Sequence, residues 1–168
     1  MRIPALLSTL VLMFALLAIP AQAQNGDVVP PHEEGVATDG PNIKVGPRIT
    51  ADVGDISGTA IGANLRLYGD TFPIQGSGSF DLYIGDVEGT VFTVDLNAQL
   101  PIEVERWFTP YIGAGLGLTR IENETTLGVN GLVGAEIDLR VVTPFLQSQL
   151  TLGDTDRIGL TGGLLINI

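Results

Sequence analysis

The residues that could carry out chemistry are few in this chain, and most of them are acids. The 168 residues include 19 Asp and Glu, one histidine (His32) and no cysteine. Cysteine nucleophiles, thiolate metal sites and disulfide frameworks are therefore excluded. Eight Lys and Arg against 19 acids also exclude a protein that binds nucleic acid by neutralising phosphates. The remaining chemistry is that of carboxylates, which form ion pairs or bind hard cations.

Charged side chains also occur inside segments that are rich in apolar residues. A charge in such surroundings must be paired or hydrated, because desolvating an unpaired ion is costly. The spacing therefore predicts a structural ion-pair network, with a narrow ion path as the alternative. The residues concerned are Arg48, Arg66, Asp81, Asp95, Glu136 and Asp138.

The segments that hold these charges alternate between apolar and polar residues with a period of two. In residues 91–102, Phe92, Val94 and Leu96 share one face, and Thr93 and Asp95 share the other. This alternation is typical of a β-strand with one apolar face. Eight such segments occur in residues 43–168, about 16 residues for each strand with its connection. Since a tilted strand crosses a bilayer in ~9–11 residues, we predict an all-β, eight-stranded antiparallel up-and-down transmembrane barrel.

The composition of the two faces predicts which of them is inside. A soluble barrel in water would need many Lys and Glu on its outer face, but the chain contains one lysine, Lys44. The apolar face is almost continuous Leu, Ile, Val and Ala, as expected of strands that face lipid. We therefore expect the polar face to line the interior. The alternative is a secreted soluble barrel that binds an apolar ligand.

The first 42 residues have a different composition from the rest. Residues 1–23 combine Arg2, an apolar run and an Ala21-Gln22-Ala23 cleavage site, which predicts a secretory signal peptide and Sec-type export. Residues 24–42 are acidic and rich in Pro and Gly, without periodicity, which predicts a disordered periplasmic tail. His32 falls in this tail, where a general base would lack a fixed position.

Residues 108–117 (FTPYIGAGLG) carry an aromatic-Pro-Tyr pattern followed by alternating glycines, and residues 142–146 (VTPFL) repeat its start. This pattern resembles a strand of small outer-membrane β-barrel proteins of the OmpA/OmpX type. The final residues Thr161, Gly163, Ile166 and Ile168 resemble the signal that the barrel-assembly machinery reads. The resemblance implies a bacterial outer-membrane location, contact with membrane lipid and lipopolysaccharide, and the assembly machinery as a partner during biogenesis.

The resemblance identifies architecture better than function, because one fold hosts several functions. Enzymes of this barrel type rely on a histidine in a catalytic set, and residues 43–168 contain none. We therefore expect a non-enzymatic monomer with a structural or membrane-organising role and no cofactor. The glycines 113, 115 and 117 do not match a dinucleotide fingerprint, and their spacing predicts that they leave room inside the barrel for a neighbouring side chain.

Pairs of acids at the predicted outer turns form a candidate cation site. Carboxylates are the ligands that hard divalent cations prefer, so such pairs could hold a cation against lipopolysaccharide phosphates. The candidate ligands are Asp86, Glu88, Asp154 and Asp156. Solvated turns, in which Asp is common for backbone reasons, are the alternative interpretation.

Overall fold

The computed structural model describes residues 42–69, 74–84, 89–102, 104–105 and 107–168. Within these residues the chain forms eight antiparallel strands in a closed barrel, each paired with the next and the last paired with the first. The strands are β1 (Asn42–Gly54), β2 (Gly58–Tyr68), β3 (Gln75–Ile84), β4 (Val91–Pro101), β5 (Phe108–Ile121), β6 (Glu124–Ile137), β7 (Val142–Gly153) and β8 (Arg157–Asn167). The predicted fold class is confirmed. None of the described residues belongs to a helix long and apolar enough to cross a membrane.

The alternation in the sequence becomes an inside and an outside in the structure. On β4, Thr93, Asp95 and Gln99 are buried, whereas Leu96 and Leu100 are exposed. The other strands follow the same rule, because successive side chains of a strand point to opposite faces of the sheet. The barrel therefore has a polar interior, the lumen, and an apolar outer surface, the reverse of a barrel that is soluble in water.

The two ends of the barrel are built differently. The connections β1–β2, β3–β4, β5–β6 and β7–β8 lie at one end, called the outer end here. The β5–β6 turn consists of two residues, and its Glu122 has a φ of 52°. The inner end carries both chain ends of the barrel and the connections β2–β3, β4–β5 and β6–β7.

Two hydrogen bonds join the first and last outer turns beside the seam where β1 pairs with β8. The amide of Asp55 donates to the carbonyl of Asp156 at 2.9 Å. In return, the amide of Asp156 donates to a carboxylate oxygen of Asp55 at 2.9 Å. The two turns are thus fastened together where the sheet closes on itself.

The predicted signal peptide and most of the predicted tail lie outside the described residues, as does His32. The boundary moves by one position, because Asn42 is already the first residue of β1 and pairs with Tyr68.

Candidate functional site

The lumen is lined by charged side chains that balance one another. Among the described residues, four cations and four carboxylates are buried there, and none is more than 8% exposed. The cations are Lys44, Arg48, Arg66 and Arg157, and the carboxylates are Asp52, Asp81, Asp95 and Glu136. Because the two sets cancel, the barrel encloses ions without enclosing a net charge.

Arg157 organises the cluster nearest the outer end. One of its terminal nitrogens donates to both carboxylate oxygens of Asp95, at 2.9 and 3.1 Å. The other donates to the hydroxyl of Tyr83 at 3.1 Å and lies 3.7 Å from Asp52. The Tyr83 hydroxyl in turn donates to Asp52 at 2.5 Å. One guanidinium from β8 thereby links β1, β3 and β4 across the lumen.

A second pair lies on β1 and β3. Arg48 places a terminal nitrogen 2.8 Å from Asp81. The same nitrogen donates to Thr50 at 3.4 Å, and the hydroxyl of Thr50 is 2.9 Å from that of Thr161 on β8. This pair bridges the wall from β3 through β1 to the seam.

Arg66 organises the cluster nearest the inner end. It forms an ion pair with Glu136 and donates to the Tyr111 hydroxyl at 2.8 Å. Its guanidinium also lies 4.6 Å from the ring centroids of Tyr111 and Phe145, a cation–π contact on each. Lys44 reaches the other oxygen of Glu136 at 3.8 Å. Arg66 is wholly buried, and these contacts engage both terminal nitrogens of its guanidinium.

Hydrogen bonds along β5–β7 connect the inner and outer clusters. The Tyr111 hydroxyl donates to Gln147, whose amide donates to Gln149, and that amide donates to Thr151. The Thr151 hydroxyl donates to Asn130, whose amide donates to Asp95 at 3.0 Å. A continuous chain of side chains thus runs along one wall of the lumen.

The wall formed by β2–β4 is different. Asn64 Oδ1, Ser79 Oγ and both amide atoms of Gln99 are buried without a hydrogen-bond partner among the described residues. Buried polar atoms normally have a partner, which can be ordered water. Along this wall the polar groups are therefore not paired with one another, in contrast to those along β5–β7.

Glycines on the lumen face give the polar side chains their space. A Cβ at Gly117 would lie 2.7 Å from a carboxylate oxygen of Asp95 and 2.9 Å from Asn130. A Cβ at Gly113 would lie 3.0 Å from Leu132. The prediction that the glycines of β5 make room for neighbouring side chains is therefore confirmed.

An apolar cap lies above the Arg157 cluster. Ile56, in the β1–β2 turn, is 4% exposed and packs with Ala60, Tyr83 and Val91. Since a turn residue is normally exposed, its burial means that the turn directs Ile56 toward Tyr83 and Val91. Tyr83 belongs both to this cap and to the ion cluster beneath it.

The structure buries five of the six residues predicted for the lumen network. They are Arg48, Arg66, Asp81, Asp95 and Glu136. Asp138 is exposed instead, because β6 ends at Ile137 and the chain has already left the barrel wall. Its carboxylate accepts the amide of Arg140 at 2.8 Å in the β6–β7 turn.

Three lumen residues are missing from the predicted network. Lys44, Asp52 and Arg157 lie on the polar faces of β1 and β8, so the alternation itself could have identified them.

The candidate cation ligands are not brought together in the part of the barrel that is described. Asp86 and Glu88 lie outside it, and Asp154 is exposed. Asp156 accepts the amide of Gly153 at 3.0 Å, which is a turn-capping role. No group of three or more His, Asp or Glu side chains suited to a metal occurs among the described residues.

The residues predicted for assembly divide between the two faces of β8. Thr161 is buried in the lumen, and Gly163 lies against the Phe145 ring, where a Cβ would come within 2.5 Å. Ile166 and Ile168 are exposed on the outside. Their role in assembly stays a prediction.

The fold has clear counterparts among solved structures. Neisserial surface protein A is 10% identical, with a TM-score of 0.58 over 76% of this chain and 97% of that one. The N-terminal β-barrel domain of Pseudomonas aeruginosa OprF is 14% identical, with a TM-score of 0.59 over 76% of this chain and 99% of that one. Ail, the attachment invasion locus protein of Yersinia pestis, is 14% identical, with a TM-score of 0.55 over 76% and 95%.

No protein-family model and no curated protein matches the chain. The likeness to the three structures is therefore one of fold. Within that limit, the chain has the fold of small eight-stranded outer-membrane barrels.

Proposed function

We propose that this chain is a non-enzymatic integral protein of the bacterial outer membrane with a structural, membrane-organising role. The observation that carries this proposal is the combination of an apolar outer surface with a self-neutralising, cross-linked lumen. The outer surface supports the location, and the lumen supports the role.

The outer surface supports membrane insertion because its large apolar side chains would be unfavourably exposed in water. Leu96, Leu116, Leu127 and Val129 are each at least 60% exposed, on three neighbouring strands. An apolar surface of this extent on a soluble protein would lead to association. In a bilayer the same side chains contact acyl chains, and the closed barrel leaves no unpaired sheet edge in lipid.

The lumen supports a structural role because its charged groups are engaged with one another. Each cation of the three clusters bridges strands that are distant in the sequence. Such bridges hold the barrel in one shape, and the apolar cap at Ile56 packs on Tyr83 at the outer end. The polar lining also disfavours the soluble barrel with an apolar ligand, which needs an apolar interior.

A narrow channel for small ions is the second candidate. The polar atoms of Asn64, Ser79 and Gln99 that lack a protein partner favour a channel, because they could bind water along a path beside the β2–β4 wall. In this candidate the ion pairs would have to rearrange for current to flow.

The proposed partners follow from the location. Sec-type export would deliver the chain to the periplasm, and the barrel-assembly machinery would insert it. The barrel would then contact phospholipid and lipopolysaccharide as a monomer. A divalent cation held between the acidic outer turns and lipopolysaccharide phosphates is a further proposal.

Cell fractionation combined with a surface-charge variant tests the location. We expect the wild type in the outer-membrane fraction, where only detergent extracts it. Leu116→Arg, on the exposed face of β5, should lower the free energy of unfolding in bilayers by about 2–4 kcal/mol, because it places a charge in the hydrocarbon. The matched variant Asn123→Arg, in an outer turn, should change it by less than about 1 kcal/mol.

A soluble barrel would give the opposite pattern. The wild type would leave the cells without detergent, and Leu116→Arg would be as mild as Asn123→Arg. Either result would refute the outer-membrane location.

A further inference from the structure

The outer surface of the barrel contains an apolar groove over the half of β3 that is nearer the inner end. Gly76 and Gly78 form its floor, since both occupy outward positions of β3. Its walls are Leu65 and Leu67 on β2 and Leu96 on β4. The groove encloses about 400 Å³, which lies within the usual range of ~300–1,000 Å³ for sites that bind small molecules.

Among the described residues, no contact inside the barrel requires glycine at these two positions. A Cβ at Gly76 would lie 3.8 Å from the nearest atom, in Leu67, and a Cβ at Gly78 would lie 3.5 Å from Leu96. Both are ordinary van der Waals distances. Glycine weakens a strand, and it often marks a bulge or the close approach of a ligand or another backbone. Because β3 pairs without interruption with β2 and β4, a bulge is excluded and an external contact remains.

The groove is narrow and is bounded at one end. Its walls stand on β2 and β4, which are two strand spacings or roughly 9.5 Å apart, and the leucine side chains occupy part of that width. An α-helix with its side chains is about 10–12 Å wide, so it does not fit between them. Toward the outer end, Phe80 is the next outward residue of β3, and its ring packs on Phe92 with centroids 5.7 Å apart. The groove thus starts near the inner end of β3 and stops at an aromatic pair.

We infer that this groove binds one acyl chain of a phospholipid in the leaflet at the inner end of the barrel. The inference rests on the proposed membrane location and adds one defined lipid site to it. The groove is continuous with the apolar surface that faces lipid, and an unbranched hydrocarbon chain is narrow enough to lie between its leucines. Such a chain touches backbone beneath it and side chains on both sides. Since dispersion attraction grows with the number of atoms in contact, a chain in the groove is held more firmly than one on a convex part of the wall.

A second copy of the chain does not fill the groove. Copies in one membrane have the same orientation, so their two-fold axis runs along the membrane normal and the interface is isologous. A contact centred on β3 would set Gly76 and Gly78 against the same two glycines of the other copy. Hollow would then face hollow, and neither groove would be filled.

Nuclear Overhauser contacts between leucine methyl groups and lipid measure the binding. The full-length processed protein, deuterated except at its leucine methyl groups, is refolded into nanodiscs of protonated phosphatidylethanolamine and phosphatidylglycerol. The controls are Leu146 and Leu164, on the inner halves of β7 and β8, which are no less exposed than Leu65 and Leu67. We expect acyl-chain cross-peaks at Leu65 and Leu67 to be about two-fold or more stronger than at the controls, because the groove surrounds the chain on three sides.

Gly78→Leu and Gly131→Leu separate the groove from the effect of replacing a strand glycine. Each places the same side chain at an outward glycine, but only Gly78 lies in the groove, and a Cβ at Gly131 would meet no atom within 4 Å. Both variants should fold, because leucine suits a strand position that faces lipid. Gly78→Leu should lower the Leu65 and Leu67 cross-peaks about two-fold, to the level of the controls, whereas Gly131→Leu should leave them unchanged.

Four results would overturn the inference. Equal cross-peaks at the groove and control leucines would mean ordinary lipid contact without a site, while the membrane location stands. Strong groove cross-peaks that persist in Gly78→Leu would mean that the signal arises elsewhere. Contacts between differently labelled copies at the groove, in a mixed sample, would place a second copy there. Absence of lipid cross-peaks from every outward leucine of a folded barrel would refute the membrane location as well.

Discussion

Arg157→Ala is expected to lower the free energy of unfolding by about 3–5 kcal/mol, the range for removing one partner of a buried ion pair. The substitution leaves the carboxylates of Asp95 and Asp52 in the lumen without their cation. It also removes the donor that reaches Tyr83 beneath the apolar cap. Urea titration of the refolded protein in micelles would measure the loss.

Arg120→Ala is the matched control. Arg120 is exposed near the outer end of β5 and donates only to the carbonyl of Glu122 among the described residues. Its loss should cost less than about 1 kcal/mol, because solvent screens an exposed charge. Equal costs for the two variants, or a larger one for Arg120→Ala, would show that the lumen pairs do not hold the barrel.

Gly134→Ala is expected to cost about 1–3 kcal/mol, the usual penalty for overpacking a filled interior. A Cβ at Gly134 would lie 2.5 Å from the Tyr111 hydroxyl and 2.6 Å from the carbonyl oxygen of Leu146. Tyr111 can move only by giving up Arg66 and Gln147, to which it is hydrogen-bonded. One methyl group should therefore disturb the whole inner cluster.

Gly131→Ala, on the same strand, is the matched control. It distinguishes the effect of crowding in the lumen from the effect of replacing glycine within a strand. Gly131 faces outward, and a Cβ there would meet no atom within 4 Å. Because alanine restricts the unfolded chain more than glycine does, this variant should be neutral or up to about 1 kcal/mol more stable. A loss as large as that of Gly134→Ala would mean that glycine at these positions serves the strand and not the lumen.

The alternation of residue types was sufficient to predict the fold and the direction of most side chains. Because the period of a strand is two, one correctly assigned residue orients the whole segment, as Asp95 does for β4. The rule fails where the segment ends. Asp138 follows the alternation of β6 in the sequence, but the strand stops one residue earlier.

Partnership across the lumen could not be predicted in the same way. Arg157 and Asp95 lie on β8 and β4, and their meeting depends on the stagger of the strands around the closed barrel. The residue pattern within a single strand does not determine that stagger. The cap could not be predicted from the sequence for a similar reason. The turn sequence Gly-Asp-Ile-Ser around Ile56 does not indicate that this side chain is buried.

Conductance of the inserted wild-type barrel across a planar bilayer tests the central claim, that the lumen is a closed and self-neutralised interior. With insertion verified independently in the same preparation, the account predicts a membrane whose current is indistinguishable from that of lipid alone. Discrete and reproducible conductance steps from the wild type would contradict it, and would favour an ion path along the β2–β4 wall.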